Sequence, residues 1–238
     1  MHAPAKLTLS LRVTGTRGDG MHTLDAEMIT IDLFDTIHVR QLSSRTGSSV
    51  VLRGAGDDVP VGPDNLVNRA LDLVRRQADV VVDKRIPSQA GLGGGSADAG
   101  AILRWAGFAD LAAAAGLGAD VAFCVVGGRA QVSGIGEVVT PLPFVPTVVT
   151  MLTPPVRCST AAVYRAWDRL GGPRGPGAND LLLAALDVAP ELARWRDRLG
   201  DATGVEPQLA GSGSTWFVPG AFPGGDRRVA RAVPAAAT

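Results

Sequence analysis

Residues 5–13, Ala-Lys-Leu-Thr-Leu-Ser-Leu-Arg-Val, alternate strictly between apolar and polar, which predicts a half-buried strand with Lys6, Thr8, Ser10 and Arg12 on one face. Thr16–Gly20 reads as a turn cluster, and Met28–Leu33, Thr36–Val39 and Val50–Leu52 carry short strand signals. Gly62-Pro63-Asp64-Asn65 stops the chain and offers Asp64 as the cap of a helix over Leu66–Arg76, with apolar residues at 66, 67, 70, 71, 73 and 74. Val80–Val82 reads as a strand, followed by a glycine-rich run at 91–95 and a helix from Ser96 to about Trp105. In the second half, 121–132 and 145–152 read as buried strands, and Thr160–Leu170, Asp180–Leu186 and Pro190–Leu199 as helices. Gly171–Gly177 is a Gly/Pro loop, and from Pro219 the turn to Gly, Pro, Ala and Arg predicts a poorly ordered tail. Strands and helices mix without the regular alternation of a doubly wound sheet, so the expected class is α+β. Pro143 and Pro146 flank Phe144-Val145 and suggest a domain break there, dividing the chain into residues 1–144 and 145–238.

Composition narrows the possible functions. With 46% hydrophobic residues in 238, the chain has material for a substantial core and is not a disordered polymer. The 23 basic and 23 acidic residues cancel, which disfavours non-selective binding of nucleic acid or anionic lipid. No 18-residue apolar run and no secretory leader pattern occur, so neither a membrane span nor export is expected and a cytoplasmic setting is the default. Cys124 and Cys158 lack the spacing of a metal or disulfide motif, and no metal-ligand set is expected. Of the 23 basic residues only Lys6 and Lys84 are lysines, so a lysine close to a chemical motif attracts attention.

The strongest chemical signal is Pro87-Ser88-Gln89-Ala90-Gly91-Leu92-Gly93-Gly94-Gly95-Ser96-Ala97, lying between a strand and a helix. Glycines fold the backbone tightly and leave its N–H groups open to an anion, and a helix N-terminus adds partial positive charge. Ser96 can cap the helix and offer a hydroxyl to a phosphate oxygen or Mg²⁺. The run lacks the GK[ST] of the Walker motif and the spacing of a dinucleotide fingerprint. A glycine loop without a ligand is the plain alternative.

The run P-S-Q-A-G-L-G-G-G-S-A-D-A at 87–99 resembles the ATP-phosphate motif of the galactokinase, homoserine kinase, mevalonate kinase and phosphomevalonate kinase superfamily. Six further segments resemble, in order, the 4-diphosphocytidyl-2-C-methyl-D-erythritol kinase family. They are A-K-L-T-L-S-L-R-V-T-G-T-R-G-D-G-M-H-T-L at 5–24, D-N-L-V-N-R-A at 64–70, L-G-A-D-V-A-F-C-V-V-G-G-R-A at 117–130, G-I-G-E at 134–137, N-D-L at 179–181 and G-S-G-S-T-W-F at 211–217. The resemblance covers about residues 3–218.

That resemblance implies a two-domain kinase. Its N-terminal domain would resemble the second domain of ribosomal protein S5, its C-terminal domain would be an abbreviated ferredoxin-like fold, and its site would lie in the cleft between them. ATP, with Mg²⁺, would phosphorylate the 2-hydroxyl of a cytidyl diphosphate sugar alcohol. The protein would act as a monomer or homodimer, without nucleic-acid or membrane partners. By resemblance, Asp120 is the catalytic base and Lys6 its partner, offsetting charge on the transferring phosphoryl. Taken alone, Asp120 reads rather as a helix or turn cap, and Lys6 as a solvated strand lysine. The glycine run, Asn65 and Lys84 fall on the nucleotide side. Thr8, Met21, His22, Tyr164, Gly211, Ser212 and Gly213 fall on the acceptor side, with His22 reading the cytosine edge and Tyr164 stacking on the base. Met21 stands where the family has an aromatic, Thr8 where it has asparagine, and Ala106–Gly118 is a shortened connector. A kinase with a drifted acceptor and a non-catalytic nucleotide-binding paralogue remain as other readings, and keeping both Lys6 and Asp120 argues against the second.

Overall fold

The N-terminal alternation extends into a long strand, β1 (His2–Thr16), paired antiparallel with β2 (His22–Gln41). This computed structural model describes residues 1–42, 47–54, 62–175 and 177–235. The two short strand signals at 28–33 and 36–39 are parts of the single strand β2, running through a fully buried Asp35. A buried carboxylate would break such a strand if left unpaired. Here Asp35 accepts the backbone N–H groups of Arg85 and Ile86 and pairs with the Lys84 ammonium, so the strand continues.

After β3 (Ser49–Arg53) comes helix α1 (Leu66–Leu73), capped by Asn65 rather than by Asp64. The Asn65 side-chain oxygen accepts from Val67 N at 2.8 Å. Strand β4 (Ala78–Asp83) leads into the glycine run and helix α2 (Gly94–Ala106). The expected cap at Ser96 is corrected: α2 starts earlier, its cap position is Gly93 in the left-handed region, and Ser96 lies in the first turn. Short helices α3 (Leu111–Ala115) and α4 (Val121–Val126) follow, then strands β5 (Arg129–Gly134) and β6 (Val138–Pro141). The apolar run expected as a strand from 121 is therefore a helix as far as Val126. Gly127 and Gly128, both at positive φ, end it and redirect the chain into β5. A short run buried on all sides has no periodicity to tell helix from strand. The first sheet has the order β3-β4-β2-β5-β6, with β1 also on β2.

The second sheet is antiparallel throughout, with the order β10-β7-β9-β8. It is built from β7 (Val148–Leu152), helices α5 (Thr160–Arg169), α6 (Leu182–Val188) and α7 (Leu192–Thr203), then β8 (Gln208–Leu209), β9 (Trp216–Pro219) and β10 (Arg228–Arg231). The expectation of a poorly ordered tail from 219 is overturned. β10 pairs with β7 from Arg228↔Met151 to Arg231↔Val148, Ala230 is fully buried, and Val233 N donates to Thr30 O at 2.9 Å. These long-range backbone bonds hold a segment whose composition carries no strand signal. Residues 236–238 of that tail, and Pro176 of the Gly171–Gly177 loop, lie outside the described residues.

Candidate active site

Three stretches of backbone set the floor of the site. β1 carries Lys6, whose backbone N–H donates to Leu92 O at 3.1 Å, so the strand edge holds the glycine run directly. Behind that run lies the turn 210–215, where Thr215 N donates to Ala90 O at 3.2 Å. Gly91, at φ +76°, leaves no room for a Cβ, because Ala210 O occupies that space. Helix α2 packs closely on α4, since a Cβ on Gly100 would lie 2.8 Å from the Cys124 backbone. That packing brings Asp120, at the head of α4, opposite the glycine run.

The result is a cleft of about 560 Å³. Lys6 and Thr8 line it, although they are only 5% and 2% exposed. Of the face of β1 expected to carry Lys6, Thr8, Ser10 and Arg12, only Lys6 and Thr8 are covered here, by the glycine run and the turn 210–215. The register shifts between Thr8 and Ser10, which turns Ser10 and Arg12 to the other face and brings Leu11 into the cleft. The Lys6 Nζ lies 3.2 Å from Asp120 Oδ2 and donates to Thr8 Oγ1 at 3.0 Å. Asp120 makes no capping bond to α4, so its carboxylate is left facing Lys6. A Cβ on Gly93 would press on the Lys6 stem at 2.9 Å, and one on Gly211 would come within 3.4 Å of Nζ. The ammonium is boxed in by glycines on two sides.

Beneath the glycine run sits a buried ionic cluster. Lys84 Nζ donates to Asp98 Oδ2 at 2.6 Å and also pairs with Asp35. Burial works against the Lys84 ammonium, but the charges of Asp98 and Asp35 outweigh it and hold its pKa above the ordinary lysine value. Burial pushes Asp98 up to about 7, with Lys84 pulling the other way and the Asp35 charge adding to the rise. Its second oxygen, Oδ1, is buried without a hydrogen-bond partner. Lys84 therefore lines the cleft with its ammonium committed to two carboxylates.

At the other end, Tyr164 of α5 lines the cleft, and its hydroxyl pKa is raised by burial and by the Asp120 charge. His22 stacks on the Tyr164 ring at 4.8 Å, meets Trp167 edge-on at 5.5 Å, and places Nε2 2.7 Å from Asp168 Oδ1. Ser212 Oγ and Thr160 Oγ1 share a hydrogen bond of 3.0 Å beside them.

The structure brings most of the expected residues to this one cleft. Asn65, Lys84, Pro87, Ser88, Gln89, Ala90, Gly91, Gly93, Gly94, Gly95, Ser96, Gly211 and Ser212 all line it. Leu92 and Ala97 do not: both are fully buried and face the core, because a loop this tight must turn some side chains inward. Met21, His22 and Gly213 lie outside the lining, and Met21 is 48% exposed. Asp35 and Asp98, the two carboxylates on Lys84, belong to the site without standing out in the sequence. The available signal was a charged residue inside an apolar run, which needs a buried partner. Among the described residues, no group of three or more His, Cys, Asp or Glu side chains could hold a metal ion. None of their helices is long and apolar enough to cross a membrane.

Comparison with known proteins adds independent findings. The profile of the GHMP kinases N terminal domain matches residues 65–128, the stretch from the α1 cap to the end of α4. The chain is 35% identical to the 4-diphosphocytidyl-2-C-methyl-D-erythritol kinase of Paracoccus denitrificans, over 90% of this chain and 84% of that one. It is 36% identical to the enzyme of the same name from Pelotomaculum thermopropionicum, over 90% of this chain and 86% of that one. A crystal structure of 4-(cytidine 5'-diphospho)-2C-methyl-D-erythritol kinase superposes with a TM-score of 0.75 at 29% identity, covering 97% of this chain and 98% of that one. Homoserine kinase from Cytophaga hutchinsonii shares the fold, with a TM-score of 0.62 at 15% identity, over 98% of this chain and 95% of that one.

Proposed function

Since the chain belongs to the 4-diphosphocytidyl-2-C-methyl-D-erythritol kinase family and is a small-molecule kinase of isoprenoid synthesis, we propose that it transfers the γ-phosphoryl of ATP to the 2-hydroxyl of 4-diphosphocytidyl-2-C-methyl-D-erythritol. The observation that carries this reading is the Lys6–Asp120 pair, 3.2 Å apart, facing the glycine run across one cleft. A tertiary alcohol is a poor nucleophile while protonated. Asp120 accepts its proton as the bond to phosphorus forms, and the Lys6 ammonium offsets charge building on the phosphoryl oxygens. Thr8, bonded to the same ammonium, holds it in place. Open N–H groups along 91–95 and the N-terminus of α2 receive the triphosphate. Mg²⁺ would enter on the triphosphate and neutralise its charge. Ser96, on the cleft wall, offers the hard oxygen donor such an ion prefers.

The His22–Tyr164 stack at 4.8 Å is too close to admit a base between its rings, which would need about 7 Å, twice a van der Waals contact. The pair acts as one aromatic wall. We assign the cytosine to the cleft side of Tyr164, with His22 steadied behind it by Asp168. The second sheet's order, β10-β7-β9-β8, supports an abbreviated ferredoxin-like reading of residues 145–238. It has the first, second, third and fourth strands in the sequence four-one-three-two, but no helix between β9 and β10. The test is a phosphate-transfer assay with the cytidyl diphosphate substrate, homoserine, mevalonate and methylerythritol 4-phosphate in parallel. Turnover of the first alone is expected, and preference for another acceptor would overturn the substrate assignment.

A further inference from the structure

Asn179 and Asp180 belong to no part of the chemistry described so far, yet both are polar and buried, at 7% and 1% exposure. They lie where the second half of the chain runs beside β1. Leu11 N donates to Ala178 O at 2.7 Å and Asp180 N donates to Leu11 O at 2.9 Å, so residues 178–180 add a short parallel rung to the free edge of β1. Asp180 then grips the strand with its side chain. Its Oδ2 accepts Val13 N at 3.0 Å, and its Oδ1 accepts Arg12 Nη1 at 2.7 Å and Gly175 N at 3.2 Å. Asn179 faces the opposite way. Its Nδ2 donates to Leu209 O at 2.9 Å and to Gly211 O at 2.7 Å, while its Oδ1 accepts Leu181 N at 2.9 Å.

One dipeptide thus ties the strand that carries Lys6 and Thr8 to the glycine turn that backs them. The Gly211 backbone is close enough that a Cβ there would reach Lys6 Nζ at 3.4 Å and Thr8 Oγ1 at 3.6 Å. The glycine run rests on β1 and on the same turn through backbone bonds that Asn179 and Asp180 do not make, Lys6 N to Leu92 O and Thr215 N to Ala90 O. We propose that Asn179 and Asp180 are positioning residues for phosphoryl transfer, fixing the glycine turn 211–213 against β1 so that the Lys6 ammonium keeps its place opposite Asp120. This rests on the kinase reading of the cleft. The prediction is specific to the transfer step, because a displacement of about 1 Å near reacting groups can cost about 100-fold in rate, whereas the nucleotide cradle keeps its own backbone bonds.

Asn179→Asp retains the acceptor for Leu181 N and removes the amide that donates to Leu209 O and Gly211 O. Steady-state kinetics should show kcat lowered by about 10- to 100-fold, with KM for ATP and the affinity for a non-hydrolysable ATP analogue within about threefold of the parent. Asp110→Ala, which removes the α3 cap bond in which Asp110 Oδ1 accepts Ala113 N and which alters no residue lining the cleft, supplies a purely structural comparison: a lower melting temperature with kcat unchanged. A kcat loss in Asn179→Asp no larger than in Asp110→Ala, or one matched by lost nucleotide affinity, overturns the positioning role. If Asn179→Asp does not fold, Arg12→Gln loosens the same grip from its exposed side, and its kcat decides: a fall at constant ATP affinity supports the proposal, and no change rejects it. The parent enzyme's turnover of the cytidyl substrate, measured in the same series, tests the kinase reading separately.

Discussion

Gly93 is needed twice over, once for its own backbone and once for Lys6, and the two requirements can be separated. It sits at φ +68° and ψ +30°, where an L-residue pays about 1–2 kcal/mol. For a chain of this size that lowers the melting temperature of Gly93→Ala by about 2–8 °C. The new methyl would also stand 2.9 Å from Lys6 Cγ and 3.2 Å from Cε. Both neighbours belong to a flexible stem, so the stem yields, by about half an ångström to reach ordinary contact. That shift is passed to Nζ, which now sits 3.2 Å from Asp120 and 3.0 Å from Thr8. Gly107, at the other end of α2, has nearly the same backbone, φ +70° and ψ +28°, and a methyl added there would meet nothing within 4 Å. Gly107→Ala therefore carries the same strain without touching Lys6. Thermal melts should fall by similar amounts in the two variants, while kcat for phosphate transfer falls about 10-fold or more only in Gly93→Ala. Equal kcat in both would refute the claim that the exact place of the Lys6 ammonium matters.

Two further perturbations separate folding from binding and from protonation. Gly95 lies in the first turn of α2, and a Cβ there would touch only Leu66 Cδ1, at 3.5 Å. Gly95→Ala should therefore stabilise the free protein by about 0.5–1 kcal/mol yet weaken an ATP analogue about 10-fold or more by filling anion space; calorimetry showing unchanged affinity would contradict the phosphate cradle. Burial raises the Asp98 carboxyl to about 7 in the fold, despite the pull of Lys84, from about 3.9 in an unfolded chain. Its contribution is fully present below about pH 4 and is lost as pH rises through about 7, with a slope of at most about 1.4 kcal/mol per pH unit. Melting temperature plotted against pH should be flatter for Asp98→Asn across that window, and parallel curves would show that Asp98 is ionised throughout.

The parts of the site legible in the sequence were those set by local backbone needs. Four glycines in five positions announce a loop open to an anion, and the alternation of β1 puts Lys6 and Thr8 on one face. Asp120 was legible only through the resemblance, because Leu-Gly-Ala-Asp before an apolar run has the look of a helix cap, and only the structure shows a carboxylate that caps nothing. Asp35 was hidden because the residue that makes its burial tolerable, Lys84, lies 49 positions away. The same holds for β10: its Arg-Val-Ala-Arg sequence has no strand signature of its own, and its pairing to β7 is a long-range event. Ser96 has the residue type of a cap, whereas the chain uses a left-handed glycine three residues earlier, which also spares Lys6 a clash.

The central claim is that Asp120 takes the proton from the acceptor hydroxyl while Lys6 stands beside it. The single-turnover rate of phosphoryl transfer in Asp120→Asn, with ATP and the cytidyl diphosphate substrate both saturating, tests it most directly. The rate should fall by about 10²–10⁴-fold. A rate within a few-fold of the parent would remove Asp120 from the chemistry and with it the mechanism drawn from this cleft.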